Sequence, residues 1–381
     1  MAEALLDLPP LPEFKGRPGW EFTDLTGLDL EAYEPAEAAQ GGKRVLEVPD
    51  AREPGGGAIV CTLAEAAERH PDLVERHLGS VVSSDDPFVA RNDAARAGGL
   101  FVHVPRGVRL DGPIDRDAVL PDGAALNHRT LIVLEEGAEA EVWEQFLSAG
   151  DGDGLLNAVT EIVVGPNATL RYVNAQGLSE GSWIFGTQRA VVDRDGSLDW
   201  AALGFGSGHG KVRMETQLRG AGAHAKVTGA YASRNRQHLD FDTTQEHAAP
   251  STTSDLAFRG VLGGRSSAVW RGMIKVDPGA QQTDAFQESR NLLLSKRAHA
   301  DAIPGLEILA NDVRCTHAAA IAQIDREQLF YLRSRGLRPE QARRLVIDGF
   351  LQALVERFAE GPLRDSVSAA LERRLEAVLG S

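Results

Sequence analysis

Cysteine is close to absent: Cys61 and Cys315 are the only two in 381 residues. Two thiols cannot build a disulfide framework, and their scarcity fits a reducing compartment such as the cytoplasm. The chain has no C-x-x-C and no H-E-x-x-H, so the local spacings of common zinc sites are missing. No apolar run approaches the roughly 18 residues of a membrane-spanning helix. The opening "MAEALLDLPPLPEF" lacks the basic stretch and apolar core of a secretory leader. Positive charge is also in deficit. With 40 Lys and Arg against 55 Asp and Glu, the formal net charge is -15, which opposes nucleic acid or an anionic membrane as the main partner.

The deficit is uneven. From Asp325 to the end, 10 Arg face 9 Asp and Glu for a local net of +1, leaving -16 on everything before Asp325. That arginine-bearing tail is a candidate docking region. Hydrophobic residues make up 43% of the chain. At this length they imply a large central body with smaller attachments, or two domains.

Three textures divide the chain. Residues 1–97 read as turns and short helices, with Thr62 as an N-cap, Pro71 at a first helical position, Ser84 or Asp85 capping a helix that begins at Pro87, and Gly98 ending it. Residues 98–318 are short alternating runs of Val, Leu, Ile and Thr separated by Gly, Ala, Asn and Asp, as expected for strands and turns. Within them "GAEAEVW" at 137, "NATLRYV" at 167, "GSLDWAA" at 196, "GAHAKVT" at 222, "RSSAVWR" at 265 and "RAHADAI" at 297 recur at steps of 30, 29, 26, 43 and 32. Strand-turn-strand units of this size suit a parallel β-helix, in which the long step would be a coil with an insertion around "QEHAAPSTT". Antiparallel hairpins in a sandwich would read similarly. Residues 319–381 are helical: Asp325 caps one helix that stops at Gly336, a second opens at Pro339 and stops near Gly361, and a third follows.

Candidate sites follow from this grammar. If "DVRCTHAA" is a strand, Cys315 and His317 share one face and offer sulfur and nitrogen to a soft or borderline metal such as iron or zinc. The alternative is an inward stripe of Val313, Cys315, His317 and Ala319 that only fills space. His238, Asp240, Asp242, Glu246 and His247 form a second cluster, in which Asp240 and Asp242 share a face and invite an acid/base reading of a carbohydrate-cleaving β-helix. Its alternative is a solvated strand edge. "GFGSGHGK" at 204–211 does not match a phosphate loop, since Lys211 is followed by Val212 and no hydrophobic strand followed by a helix flanks it, which argues against nucleotide binding; "AGAHA" near 223 reads as a tight corner between strands. Trp143, Trp183, Trp200 and Trp270 are spread out, as packing residues are, and Cys61 reads as a core thiol.

The stretch "AFQESRNLLLSKRAHADAIPGLEILANDVRCTHAAAIAQIDREQLFYLRSRGL", together with "GLFVHVPRGVRLDGPI", "LLNAVTEIVVGPNATLRYVNAQ" and "GWEFTDL", resembles the SufB/SufD family of iron-sulfur cluster assembly proteins, SufD branch, over nearly the whole length. The resemblance implies a helical N-terminal segment, a right-handed parallel β-helix core and a helical C-terminal subdomain. It implies a non-catalytic scaffold that pairs with SufB through the core, with a transient iron-sulfur cluster shared at their interface, His317 as a ligand and Cys315 as the next choice. It also implies that SufC, an ABC-type ATPase, docks on the C-terminal helices, for which Phe330, Tyr331, Arg333, Arg335, Arg343 and Arg344 are the candidates. A SufB-like homodimer is the variant within the family. Where the family often writes Cys-Ser-His-Gly-Ala-Thr, this chain has Ala318, Ala319 and Ala320 after His317, a local departure in backbone freedom and hydrogen bonding.

Overall fold

The computed structural model describes residues 8–12, 19–49, 51, 54–96 and 98–380; the stretch read for a leader lies largely outside them. From Gly98–Val104 to Val313–Gln323 the strands alternate between two parallel sheets, each strand hydrogen-bonded to the ones two before and two after it. This is a parallel β-helix, and among the described residues its second sheet contains eight strands. An antiparallel strand, Ile59–Thr62, pairs with Gly98–Val104 at the N-terminal end of the first sheet.

The true period is visible in the register. Thr169, Ser197, His224, Thr253, Asp284 and Arg314 lie side by side on successive coils, at nearly even intervals along the chain. The expected insertion is therefore corrected. The four earlier copies, from 137 to 222, introduce strands of the second sheet, whereas those at 265 and 297 introduce Ser267–Val276 and His299–Ile308 of the first. The step of 43 is one coil plus a change of sheet, because both sheets open their strands with the same small-residue turn. Asn167, Asp195 and Asn235 occupy such turns at φ of 55, 56 and 52°, a conformation that Asn and Asp tolerate better than other side chains.

Alternation sorts the side chains. Inward rows carry Val102, Ile132, Ile162, Tyr172, Trp200, Phe241, Phe258 and Trp270, all buried. Near the first coils the interior is polar: fully buried Glu144 accepts hydrogen bonds from Thr130 and Tyr172, both at 2.6 Å, and its carboxylate lies 3.0 Å from His128. Burial alone would raise its pKa, and the adjacent His128 imidazole, followed by the Thr130 and Tyr172 hydrogen bonds, outweighs burial and holds the carboxylate below its usual range.

Among the described residues, six α-helices flank the strands. α1 (Leu63–Arg69) starts with a reciprocal Thr62–Glu65 capping box, and α2 (Pro71–His77) has Pro71 at its first position. α3 (Pro87–Ala94) is capped by Asp86 rather than Ser84 or Asp85, since Asp86 is the residue that reaches the amides of Phe88 and Val89. It ends at Ala94, and Gly98 instead begins a strand. The fully buried Arg129 ties α3 to the outer face of the first sheet, with Glu161 at 2.6 Å and Asp93 at 3.1 Å. α4 (Arg326–Ser334) is capped by Asp325 and stops before Gly336 at φ +95°. α5 (Pro339–Val355) ends before Gly361, where Arg357 turns to bond Thr228 and Asp255 and Phe358 is buried. α5 and α6 (Pro362–Leu379) lay Ile347, Leu351, Val367 and Leu371 on the outer face of the second sheet, around Trp143, Val173 and Ala230. Among the described residues no helix is long and apolar enough to cross a membrane.

Candidate functional site

Cys315 and His317 lie on Val313–Gln323, the last strand of the second sheet, in register with Ala285 and Gln287 of Thr283–Leu293. Ala285 and Gln287 are buried in the helix interior, so Cys315 and His317 belong to the same inward row one coil further on. The expected stripe of Val313, Cys315, His317 and Ala319 does point inward, yet among the described residues no coil covers it. Cys315 is half-buried against Ile274, Val276, Ala280 and Ala285, while His317 is exposed and makes no hydrogen bond with any described residue. Burial, with the Asp284 carboxylate adding to it, raises the Cys315 pKa, so this thiol is a weaker ligand than an activated cysteine. On the outward side of the same strand, Arg314 grips Asp284 with two nitrogens.

This final coil is an open end. His299–Ile308 and Val313–Gln323 terminate the two sheets, and each leaves one edge without a neighbouring strand among the described residues. Apolar side chains are exposed along this end: Leu306, Ile308 and Ile321 continue inward rows yet face solvent, and Leu309 is 54% exposed. Sequence pattern does not single out these rim residues, because "GLEIL" reads like any strand. The chain offers one nitrogen and one sulfur here. Among the described residues no three His, Cys, Asp or Glu side chains converge as a metal cage. A four-coordinate metal at this edge would need the remaining ligands from another molecule.

The second cluster falls apart in three dimensions. Asp240 and Asp242 do share the outer face of His238–His247, but Asp240 is buried under the N-terminal segment, bonded to Thr23 at 2.6 Å and Lys211 at 3.0 Å. Asp242 lies between Lys211 and Arg271, at 3.7 and 4.0 Å, and Glu246 is held by Lys275, Gln217 and Arg189. His238 is 2.8 Å from Ser267, and His247 points inward between Thr252 and Ser254. Each of these carboxylates has a cation beside it, which leaves the cluster no pair of acids free for glycoside chemistry. The glycine-rich stretch is a buried corner: a Cβ on Gly206 would sit 2.2 Å from the backbone of Leu178.

The C-terminal candidates divide in two. On α4, Phe330 is 74% and Tyr331 57% exposed, and exposed Arg333 and Arg335 accompany them, Arg335 stacking over the Tyr331 ring at 5.2 Å. On α5, by contrast, Arg343 donates to the Leu294 carbonyl at 2.7 Å, and Arg344 pairs with Asp348 and Glu376. Those two arginines hold the subdomain to the core and to itself. Leu345, exposed on α5, carries no pattern that marks it in the sequence.

A family model described as the SUF system FeS cluster assembly, SufBD core domain, matches residues 118–350, and one for the SufBD protein N-terminal region matches residues 47–115. The chain is 31% identical over 326 residues to the iron-sulfur cluster assembly protein SufD of Bacillus subtilis, covering 84% of this chain and 74% of that one. It is 29% identical over 337 residues to a SufBD family protein of Synechocystis, covering 85% and 70%. With a SufBD family protein of Staphylococcus epidermidis it shares 28% identity over 300 residues, covering 78% and 64%.

Proposed function

The chain belongs to the SufBD family of iron-sulfur cluster assembly proteins, and from that premise we propose that it is a SufD-like scaffold whose open final coil docks on a SufB-like subunit. The observation that carries this reading is an exposed, unbonded imidazole in an inward row, on a final coil where Leu306, Ile308 and Ile321 are also exposed and two strands lack neighbours among the described residues. Unpaired strand edges favour pairing with another chain, and an apolar rim favours exclusion of water once they do. His317 would then donate nitrogen to a nascent cluster in the seam, with thiolate supplied by the partner and Cys315 as the second candidate on this side. Clusters are usually held by several thiolates, so a chain with two widely separated cysteines suits a shared site better than one of its own.

A SufC-like ABC ATPase would take the exposed α4 surface of Phe330, Tyr331, Arg333 and Arg335. Because α5 and α6 pack on the second sheet, movement of α4 by that partner would reach the core through them. ATP hydrolysis belongs to the partner and this chain acts as a non-catalytic cytoplasmic scaffold. A homodimer through the same open coil is the state expected when no SufB-like partner is present.

The test is His317→Ala in the assembled complex. Iron and acid-labile sulfide should fall while all subunits still co-purify. Full cluster content in an intact complex would overturn the ligand assignment.

A further inference from the structure

We propose that the N-terminal mouth of the β-helix binds a primary alkylammonium ion, whose N–H donates to Nδ1 of His128. The site lies at the opposite end of the stack from Cys315 and His317, so it stands apart from the cluster reading. His128 and Gly98 are register partners in one inward row, as are Glu144 and Arg116 in the other sheet. Gly98–Val104 and Ile114–Leu120 open the two stacked sheets, which places His128 and Glu144 one coil below the mouth. A cavity of about 590 Å³ occupies the mouth and is lined by both side chains.

A buried, unpaired nitrogen marks the site. The His128 side chain is 8% exposed, and its Nε2 lies 3.0 Å from Glu144 Oε1. That carboxylate only accepts, here also from Thr130 and Tyr172, so Nε2 carries the ring proton and Nδ1 presents its lone pair. Nδ1 is buried with no hydrogen-bond partner among the described residues. It faces the space that Gly98 leaves open, since a Cβ there would lie 3.4 Å from it. Buried acceptors without a donor are uncommon in folded proteins. A ligand that brings an N–H into this space satisfies this one.

Charge selects the ligand. Four carboxylates and two arginines line the cavity, which favours a cation. Glu65 is engaged by the Thr62 cap and Asp117 by Arg44, whereas the exposed Glu37 carboxylate has no partner among the described residues. An ammonium group on Nδ1 would therefore meet a free carboxylate at the rim. A second hollow of about 570 Å³ shares Gly98 and Gly99 with the first and is lined by Leu63, Ala67, Val74 and Leu78. It offers the alkyl tail an apolar bed, and the two together have the size and mixed lining of a small-molecule site.

The experiment titrates the full-length chain by calorimetry with butylammonium and with butyltrimethylammonium, which keeps the charge and tail but has no N–H. Butylammonium should bind about 10-fold or more tightly, the difference expected of one charge-assisted hydrogen bond to a buried acceptor. Gly98→Val fills the space before Nδ1 and leaves the His128–Glu144 pair in place, and it should weaken butylammonium by about 10-fold or more. Glu37→Gln removes the rim charge at an exposed position and should weaken both ions by about 3-fold; it keeps the test decisive should the valine variant not fold. The proposal is overturned by absence of butylammonium binding at millimolar concentration, by equal affinity for the two ions, or by parental affinity in either folded variant.

Discussion

Replacing Ile321 with Asp tests the open coil as a docking seam, and its size can be worked from the structure. Ile321 continues an inward row yet remains 44% exposed because no further coil covers it. Fully burying such a side chain is worth about 1.5–3 kcal/mol, so sealing the exposed part contributes about 1 kcal/mol, or roughly five-fold in affinity. Ile321→Ala should therefore weaken binding of the SufB-like subunit by about that factor. Ile321→Asp adds a carboxylate that must be desolvated in the seam, a penalty of several kcal/mol. Affinity should fall at least 100-fold by calorimetry, with loss of co-purification. The free chain, in which this surface already faces water, should lose only a few degrees of melting temperature. A folded Ile321→Asp variant that binds with parental affinity would refute the argument that the final coil is the seam.

Other surfaces give independent checks. Phe330→Ala with Tyr331→Ala removes two exposed rings, so thermal stability should hold while binding of the SufC-like ATPase drops about 10-fold or more, as truncation of anchor aromatics typically does. Retained binding would place that contact elsewhere. Glu161→Ala leaves the Arg129 guanidinium buried without its closest partner, and urea denaturation should report a loss of about 3–5 kcal/mol. His247 supplies a pH dependence: burial pushes its imidazole down to about 4, against a modest opposing pull from Asp284. The unfolded chain takes up this proton near pH 6.5, before the folded chain does. Stability from His247 is therefore complete above pH 6.5 and declines as pH falls toward 4, by about 3 kcal/mol in all. His247→Gln should flatten the urea midpoint between pH 7.5 and 5 relative to the parent, and an identical slope in both proteins would show that His247 does not carry it.

Much of the fold was legible because local rules are strong where they apply. Alternation placed Cys315 and His317 on one face, small and turn-forming residues marked the corners, and Thr62 and Asp325 announced helices that do start there. The phase of the repeat was not legible. Both sheets use the same turn chemistry, so "RSSAVWR" looks like the next copy of "GAHAKVT" although it opens a strand of the other sheet. The acidic cluster misled for a different reason: Thr23, the group that covers and bonds Asp240, comes from the far N-terminal segment of the chain.

What the residues determined by themselves is the stacking of alternating strands between turns, the helical ends and the family to which the chain belongs. All of these depend on neighbours within a few positions or on motifs readable in one line. Tertiary structure decided which sites are free. Arg343 and Arg344 are spent on internal contacts while Phe330 and Tyr331 are not, and Asp240 and Asp242 are neutralised by lysine and arginine from adjacent coils. His317 is exposed although its row is an interior one. Exposure of an inward-facing side chain depends on whether another coil lies on top of it, and that is a property of where the stack stops rather than of the residue's own pattern.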